Sequence, residues 1–177
     1  MILTCKALML ALTFTLPLFQ NVPSGQITLT GAKLEIRLAE YKPAHGLMKQ
    51  YSADSRRNIY LHRTAIVTNQ DIVEVRVQRH ALPEYLLEFI KAGKVKLDRD
   101  VNDLYEVKLR FTEEAGQRMA NATEKHIGKP LAILVGGKVL SCGVLSSRIS
   151  DEAYIVGGDW GFTKQKAERI AGSLISK

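Results

Sequence analysis

The stretch that most restricts the fold runs from Tyr105 to Val135. Tyr105-Glu106-Val107-Lys108-Leu109-Arg110-Phe111 alternates apolar and polar residues without a break, the period of a half-buried strand. Thr112 follows at once as a helix cap. The helix it starts runs to about Ile127, with Glu113 and Glu114 at its positive end and Lys125 and His126 at its negative end. Gly128 ends it, and Pro130 prevents it from continuing. Leu131–Val135 is short, apolar and reads as a central strand. Gly136-Gly137 then supplies two residues that tolerate positive φ, as a tight hairpin requires, and Lys138 to Ile149 is the return strand with its extension. Phe162-Thr163 repeats the strand-to-helix corner of Phe111-Thr112, and its helix carries Ala167, Ile170, Ala171 and Leu174 on one face. Two such corners against one sheet predict an α+β fold. Its sheet is mostly antiparallel, with helices 113–127 and 163–175 on one face in a ferredoxin-like manner.

The rest of the chain adds strands to that frame. Lys33 to Ala39 alternates, predicting Leu34, Ile36 and Leu38 in a core and Lys33, Glu35 and Arg37 in water. Residues 42–57 hold Pro43, Gly46, Ser52, Asp54 and Ser55 and read as an irregular loop. Asn58 to His62 is a short strand. Thr68 to Asp71 starts a brief helix, after which Val73, Val75 and Val77 set a strand period. Pro83 to Ala92 is a small helix with Tyr85, Leu86, Phe89 and Ile90 on one stripe and Gly93 at its end. Residues 93–103 are charged and expected at the surface. Ala153 to Val156 is a strand closed by Gly157-Gly158.

The N-terminus reads as an export signal. Lys6 is a short positive region, Ala7 to Phe19 is a nearly uncharged apolar run, and Val22 and Ser24 suit cleavage after Ser24. The run is shorter than the roughly 20 residues of a spanning helix. Residues 1–24 are therefore assigned to a signal peptide, or to an uncleaved membrane anchor. Residues 25–32 form a tether and 33–177 the folded domain. The formal charge is +7, and removing residues 1–24 takes away Lys6 and no acid. Cleavage leaves Cys142 alone of the two cysteines, so no internal disulfide holds the domain. An exported location, periplasmic or secreted, argues against a nucleic-acid partner for the basic charge.

A family resemblance rests on many residues in order. Phe111-Thr112-Glu113-Glu114-Ala115-Gly116, Met119-Ala120, Ala122-Thr123 and His126 through Val135 resemble the periplasmic head subdomain of SecD. So do Gly137-Lys138-Val139-Leu140-Ser141, Ile149, Gly157-Gly158 and Phe162-Thr163. Ile59-Tyr60-Leu61-His62 and Val67-Thr68-Asn69-Gln70-Asp71-Ile72 extend the likeness, which covers about residues 34–175. Two features depart from it: Gly136 stands where the hairpin turn usually carries an acid, and the insert at residues 80–103 is longer. The chain also has at most one apolar segment where SecD has several membrane spans, so it resembles the head without the motor. The resemblance implies handling of unfolded or emerging polypeptide outside the membrane.

Side chains that could carry other chemistry are sparse. His45, His62, His80 and His126 form no closely spaced ligand pair, so no metal or cofactor is assigned. Cys142, between Ser141 and Gly143 in a strand, has no nucleophile context, and no catalytic residue is assigned. Gly157-Gly158-Asp159-Trp160-Gly161 lacks the Lys-Ser/Thr of a phosphate loop and reads as a tight turn. Trp160 on that turn fits either core packing or a binding role. The interaction surface assigned from sequence is Trp160 with Arg56, Arg57, Arg76 and Arg79. The basic residues read either as a solvated surface or as one face. The expectation is a non-enzymatic, exported protein-interaction domain, accessory to protein export or to envelope sensing. Its partner would be a polypeptide client or an envelope membrane protein. The alternatives are a thiol-dependent enzyme using Cys142 and a basic module bound to an anionic membrane surface.

Overall fold

Residues 31–53, 55–97, 99–157 and 160–175 are described by the computed structural model. The export signal, most of the tether, and Gly158 and Asp159 lie outside them. The alternating segments become strands: β1 (Leu34–Glu40), β2 (Met48–Ser52), β3 (Arg57–Leu61), β4 (Val67–Thr68), β5 (Ile72–Arg79), β6 (Tyr105–Phe111), β7 (Pro130–Val135), β8 (Lys138–Val144) and β9 (Glu152–Ile155). The helices are α1 (Glu84–Lys91), α2 (Glu113–Glu124) and α3 (Lys164–Ile175). Two sheets form, in the orders β2-β3-β1-β7-β8 and β5-β6-β9, with β4 paired to β1. Every ladder is antiparallel. The α+β class with mostly antiparallel strands is therefore as read, and the strands divide between two sheets.

One core joins both sheets. Leu34, Ile36, Leu131 and Ile133 of the larger sheet meet Val107, Leu109, Ala153 and Ile155 of the smaller one. Met119 of α2 and Ala167, Ala171 and Leu174 of α3 complete this cluster. A second, smaller cluster lies on the other face of the larger sheet: Ala39, Ile59, Leu61, Ala132, Leu134, Val139 and Cys142. The chain is punctuated as the sequence indicates. Thr112 Oγ1 accepts from Ala115 N at 3.3 Å. Gly128 takes φ +84, and Gly136 and Gly137 take +59 and +75. Asn69 ties the first turn to β1, accepting from Leu34 N at 2.6 Å and donating to Ala32 O at 3.1 Å.

Three readings are corrected. Residues 48–52, expected in an irregular loop, form β2 and pair with β3 from Met48↔Leu61 to Ser52↔Arg57. Met48, Lys49 and Tyr51 are exposed in that strand, so no apolar period announces it. Glu35 and Arg37, expected in water, are buried, because they stand opposite Leu134 and Ala132 on the sheet face that carries the small cluster. They survive there as a pair, Arg37 Nη2 donating to Glu35 Oε1 at 2.6 Å while Nη1 caps the backbone oxygens of His62 and Arg63. Finally, the α1 stripe divides: Leu86 is buried, whereas Tyr85 and Phe89 are exposed. Besides these, α2 ends at Glu124, three residues short of the expected limit, and His126 Nδ1 turns back to Ala122 O at 2.8 Å.

Candidate functional site

The two sheets part at their ends. β8 pairs only with β7, and β9 only with β6, among the described residues. Between these outer strands lies a cleft of about 540 Å3. Its floor is Leu131 and Ile133, so it opens directly onto the main core. One wall is Ser141, Gly143 and Val144 of β8, continued by Leu145, Ser146 and Ser147; the other is Glu152, Ala153 and Tyr154 of β9. The strand period explains the lining. Alternate residues of β8 share a face, so Ser141 and Gly143 look into the cleft and keep it wide, while Cys142 points the other way. Val144 and Tyr154 leave apolar surface at the rim, 55% and 38% exposed.

The rim beside β9 carries a closed charge set. Lys108 Nζ and the Tyr154 hydroxyl both donate to the Glu152 carboxylate, and the Lys108 ammonium lies 5.8 Å from the Tyr154 ring centre. The hydrogen bond from Lys108, then that from Tyr154, holds the Glu152 carboxyl below its usual range. The same bond raises Lys108, and Glu152 raises Tyr154. This side of the cleft is therefore internally paired.

The loop that closes the cleft is anchored through α2. Buried Thr123 donates from Oγ1 to Met119 O at 2.8 Å and accepts from Ile149 N at 2.9 Å. Gly116 lets the same helix approach the loop: a Cβ there would lie 2.7 Å from Ser150 O. Arg118 Nη2 meets Asp71 Oδ1 at 2.6 Å and fixes α2 to the start of β5. Burial tends to raise the Asp71 carboxyl, but the bonds from Arg118 and Thr68 outweigh it and leave it lowered.

The residues assigned from sequence are scattered. Arg56 lies in the β2–β3 turn with φ +51, and Arg57 opens β3 with its guanidinium 4.9 Å over the Tyr41 ring. Arg76 and Arg79 are exposed on β5, in the other sheet, and Arg76 is ion-paired to Glu74. Trp160 is half-buried in the turn that Gly161 closes by donating to Gly157 O at 2.8 Å. None of the five lines the cleft. Cys142 is buried in the small cluster. Among the described residues no three His, Cys, Asp or Glu side chains gather as a metal site. A second cleft, about 480 Å3, is bordered by Glu40, His45, His62 and Arg63. Sequence reading missed Val144 and Tyr154; the signal available was the small pair Ser141 and Gly143 on one strand face, followed by Ser146-Ser147.

Comparison with known proteins gives this arrangement a family. Residues 87–176 match the model of the SecDF P1 head subdomain. The protein translocase subunit SecD of Aquifex aeolicus is 30% identical over 130 residues, covering 71% of this chain and 21% of that protein. The SecD subunit of Koribacter versatilis is 32% identical over 83 residues, covering 47% of this chain and 15% of that protein. The chain thus spans about a fifth or less of these curated relatives. Two solved SecDF structures share the fold. One, described as a membrane component that enhances protein export, has TM-score 0.52 at 19% identity over 82% of this chain and 63% of its own. The other, in a "super-membrane-facing form", has TM-score 0.50 at 17% identity over 81% of this chain and 18% of its own. With half of its residues inside the family model and its two Thr-capped corners in place, the chain belongs to the SecDF P1 head subdomain family.

Proposed function

We propose that this head domain is a non-enzymatic polypeptide-binding module of protein export, holding an extended client segment in the cleft between β8 and β9. The supporting observation is that β8 and β9, each hydrogen-bonded to a single strand among the described residues, face one apolar-floored groove. An extended peptide there can take backbone hydrogen bonds from a strand edge while alternate side chains reach Leu131 and Ile133. The names of the relatives, a protein translocase subunit and a component that enhances export, agree with such a client. The module works outside the membrane, periplasmic or secreted, with residues 1–24 delivering it or residues 7–19 anchoring it. Among the described residues no helix is long and apolar enough to cross a membrane. The thiol-enzyme alternative gains nothing from the geometry, since Cys142 faces the small cluster and borders neither cleft.

The test is titration of a fluorescent, alternating apolar peptide of about eight residues, long enough for one strand. Val144→Asp places a charge on the rim at a side chain whose exposure makes it dispensable for folding. Affinity should fall about tenfold, the worth of one apolar side chain, with the circular dichroism spectrum unchanged. Equal binding by the two proteins would remove the cleft from the account.

A further inference from the structure

β5 is the outer strand of the smaller sheet on the side away from β9, eight residues long and paired with β6 alone among the described residues. Just beyond it His80 N donates to Leu104 O at 2.8 Å, and the register runs back through Gln78↔Glu106, Arg76↔Lys108 and Glu74↔Arg110. In an antiparallel ladder alternate residues turn their backbone groups to the same neighbour. Glu74, Arg76 and Gln78 therefore bond to β6, and the N–H and C=O of Val75 and Val77 point away from it. No other backbone hydrogen bond among the described residues uses those groups. A row of this kind is a template for a further strand, and natural edges are commonly blunted by Pro or Lys. β5 contains neither, and its one irregularity is a bulge between Ile72 and Glu74.

The side chains specify the partner. A two-fold axis through Val75 sets Glu74 opposite Arg76 of a second copy, and Arg76 opposite its Glu74. Both fall in non-hydrogen-bonded pairs, where cross-strand side chains lie nearest. Val75 meets Val75 on the face where Val75 and Val77 pack against the main core. An axis through Arg76 would oppose two like charges. An axis through Val77 would set Arg76 against Gln78 and Arg79 against Val75. The charges already stand on one face of the edge: Arg76 is exposed and paired to Glu74, whose other carboxylate oxygen accepts from Arg110 Nε at 2.8 Å.

We propose that two copies of this chain associate through β5, antiparallel about Val75, into a homodimer with one continuous sheet. The strand is complementary to itself, as an isologous interface requires. β5 and β9 are opposite edges of the smaller sheet, so the joined order is β9-β6-β5-β5-β6-β9 and each cleft stays open at a far end. The pairing does not rest on what the cleft holds, but it would set two grooves on one body and so favour a client that reaches both.

The experiment is sedimentation equilibrium of the full chain. One strand per copy makes an interface below the about 1,200 Å2 of stable complexes, so concentrated protein is needed. Salt of about 0.15 M screens the repulsion between two chains of formal charge +7. The unaltered chain should show dimer. Glu74→Arg or Arg76→Glu puts like charges opposite each other twice, and each variant alone should associate about tenfold more weakly. An equal mixture of the two variants restores both opposite-charge pairs and should recover the dimer, which a merely misfolded strand would not do. Val75→Pro removes the central outward N–H, which β6 does not use, and should also weaken association with the circular dichroism spectrum retained. The apolar segment 7–19 can join chains by itself, so the dependence on charge, not mass alone, decides. A monomer throughout, association indifferent to the charge reversals, or a mixture no tighter than its components would overturn the proposal.

Discussion

Glu35 shows how a polar side chain can be read correctly as strand and wrongly as surface. Its alternation with Leu34 and Ile36 is real, but the face it occupies is covered. Burial pushes its carboxyl up; hydrogen bonds from Arg37 and Lys33 outweigh that and bring it below the ordinary value. A carboxyl lowered in the folded state stabilises above its unfolded pKa, and that contribution disappears as pH falls through the folded value. Glu35→Gln leaves Arg37 buried without its counter-charge, which costs about 3 kcal/mol. The cost should be full at about pH 7 and should shrink as the solution is acidified to about pH 3, below the ordinary carboxylate range. Urea unfolding of the two proteins at both pH values measures it; a gap independent of pH would show that the charge itself contributes nothing. At Gly116 steric and propensity effects oppose each other. Gly116→Ala improves intrinsic helix propensity by up to about 1 kcal/mol. Its methyl, however, would meet Ser150 O at 2.7 Å, and overpacking against backbone costs about 1–3 kcal/mol. The clash should win, lowering the melting temperature; an unchanged or raised value would mean that the 145–151 loop yields freely.

At the scale of elements, legibility followed the strength of the local period. β6, α2 and β7 were evident because alternation, a Thr cap, a dipole-matched charge distribution and a Gly stop all agree over one stretch. The hairpin at Gly136-Gly137 was evident because both residues use positive φ. β2 was not, because Met48, Lys49 and Tyr51 lie exposed and its place depends on pairing with β3 rather than on burial. The α1 stripe was misjudged because one turn of apolar residues can face either core or solvent, and only tertiary packing decides. The cleft was illegible for a similar reason. β8 and β9 lie apart in sequence and belong to different sheets, so no linear pattern records that Val144 and Tyr154 border one groove. The basic residues chosen from sequence share a charge, but the topology distributes them over both sheets.

For the whole molecule, the unequal size of the two clusters predicts how it opens. The main core draws on both sheets, α2 and α3, so neither sheet can lose its packing without the other. The β2–β3 hairpin has weaker ties. It reaches β1 through the register pairs Ala39↔Leu61 and Glu40↔Tyr60. On its inner face Ile59 and Leu61 share the small cluster with Ala39, Ala132, Leu134, Val139 and Cys142. Across the gap to the next hairpin Gln50 Nε2 reaches Gly137 O at 3.5 Å. Regions with few shared buried contacts open below the global free energy. Native-state hydrogen exchange should therefore show β2–β3 amides exchanging through a sub-global opening with little denaturant dependence, while β6 and β7 amides exchange only with global unfolding. Leu61→Ala should accelerate the first class well before the second, whereas Leu109→Ala should lower protection throughout by about 2–5 kcal/mol. Uniform protection of β2–β3 and β6 would mean that the small cluster is as strongly coupled as the large one. Because β8 belongs to the same sheet but borders the cleft on its other face, opening of this hairpin can proceed without altering the floor formed by Leu131 and Ile133. The head can thus loosen at one end while the groove at the other keeps its shape.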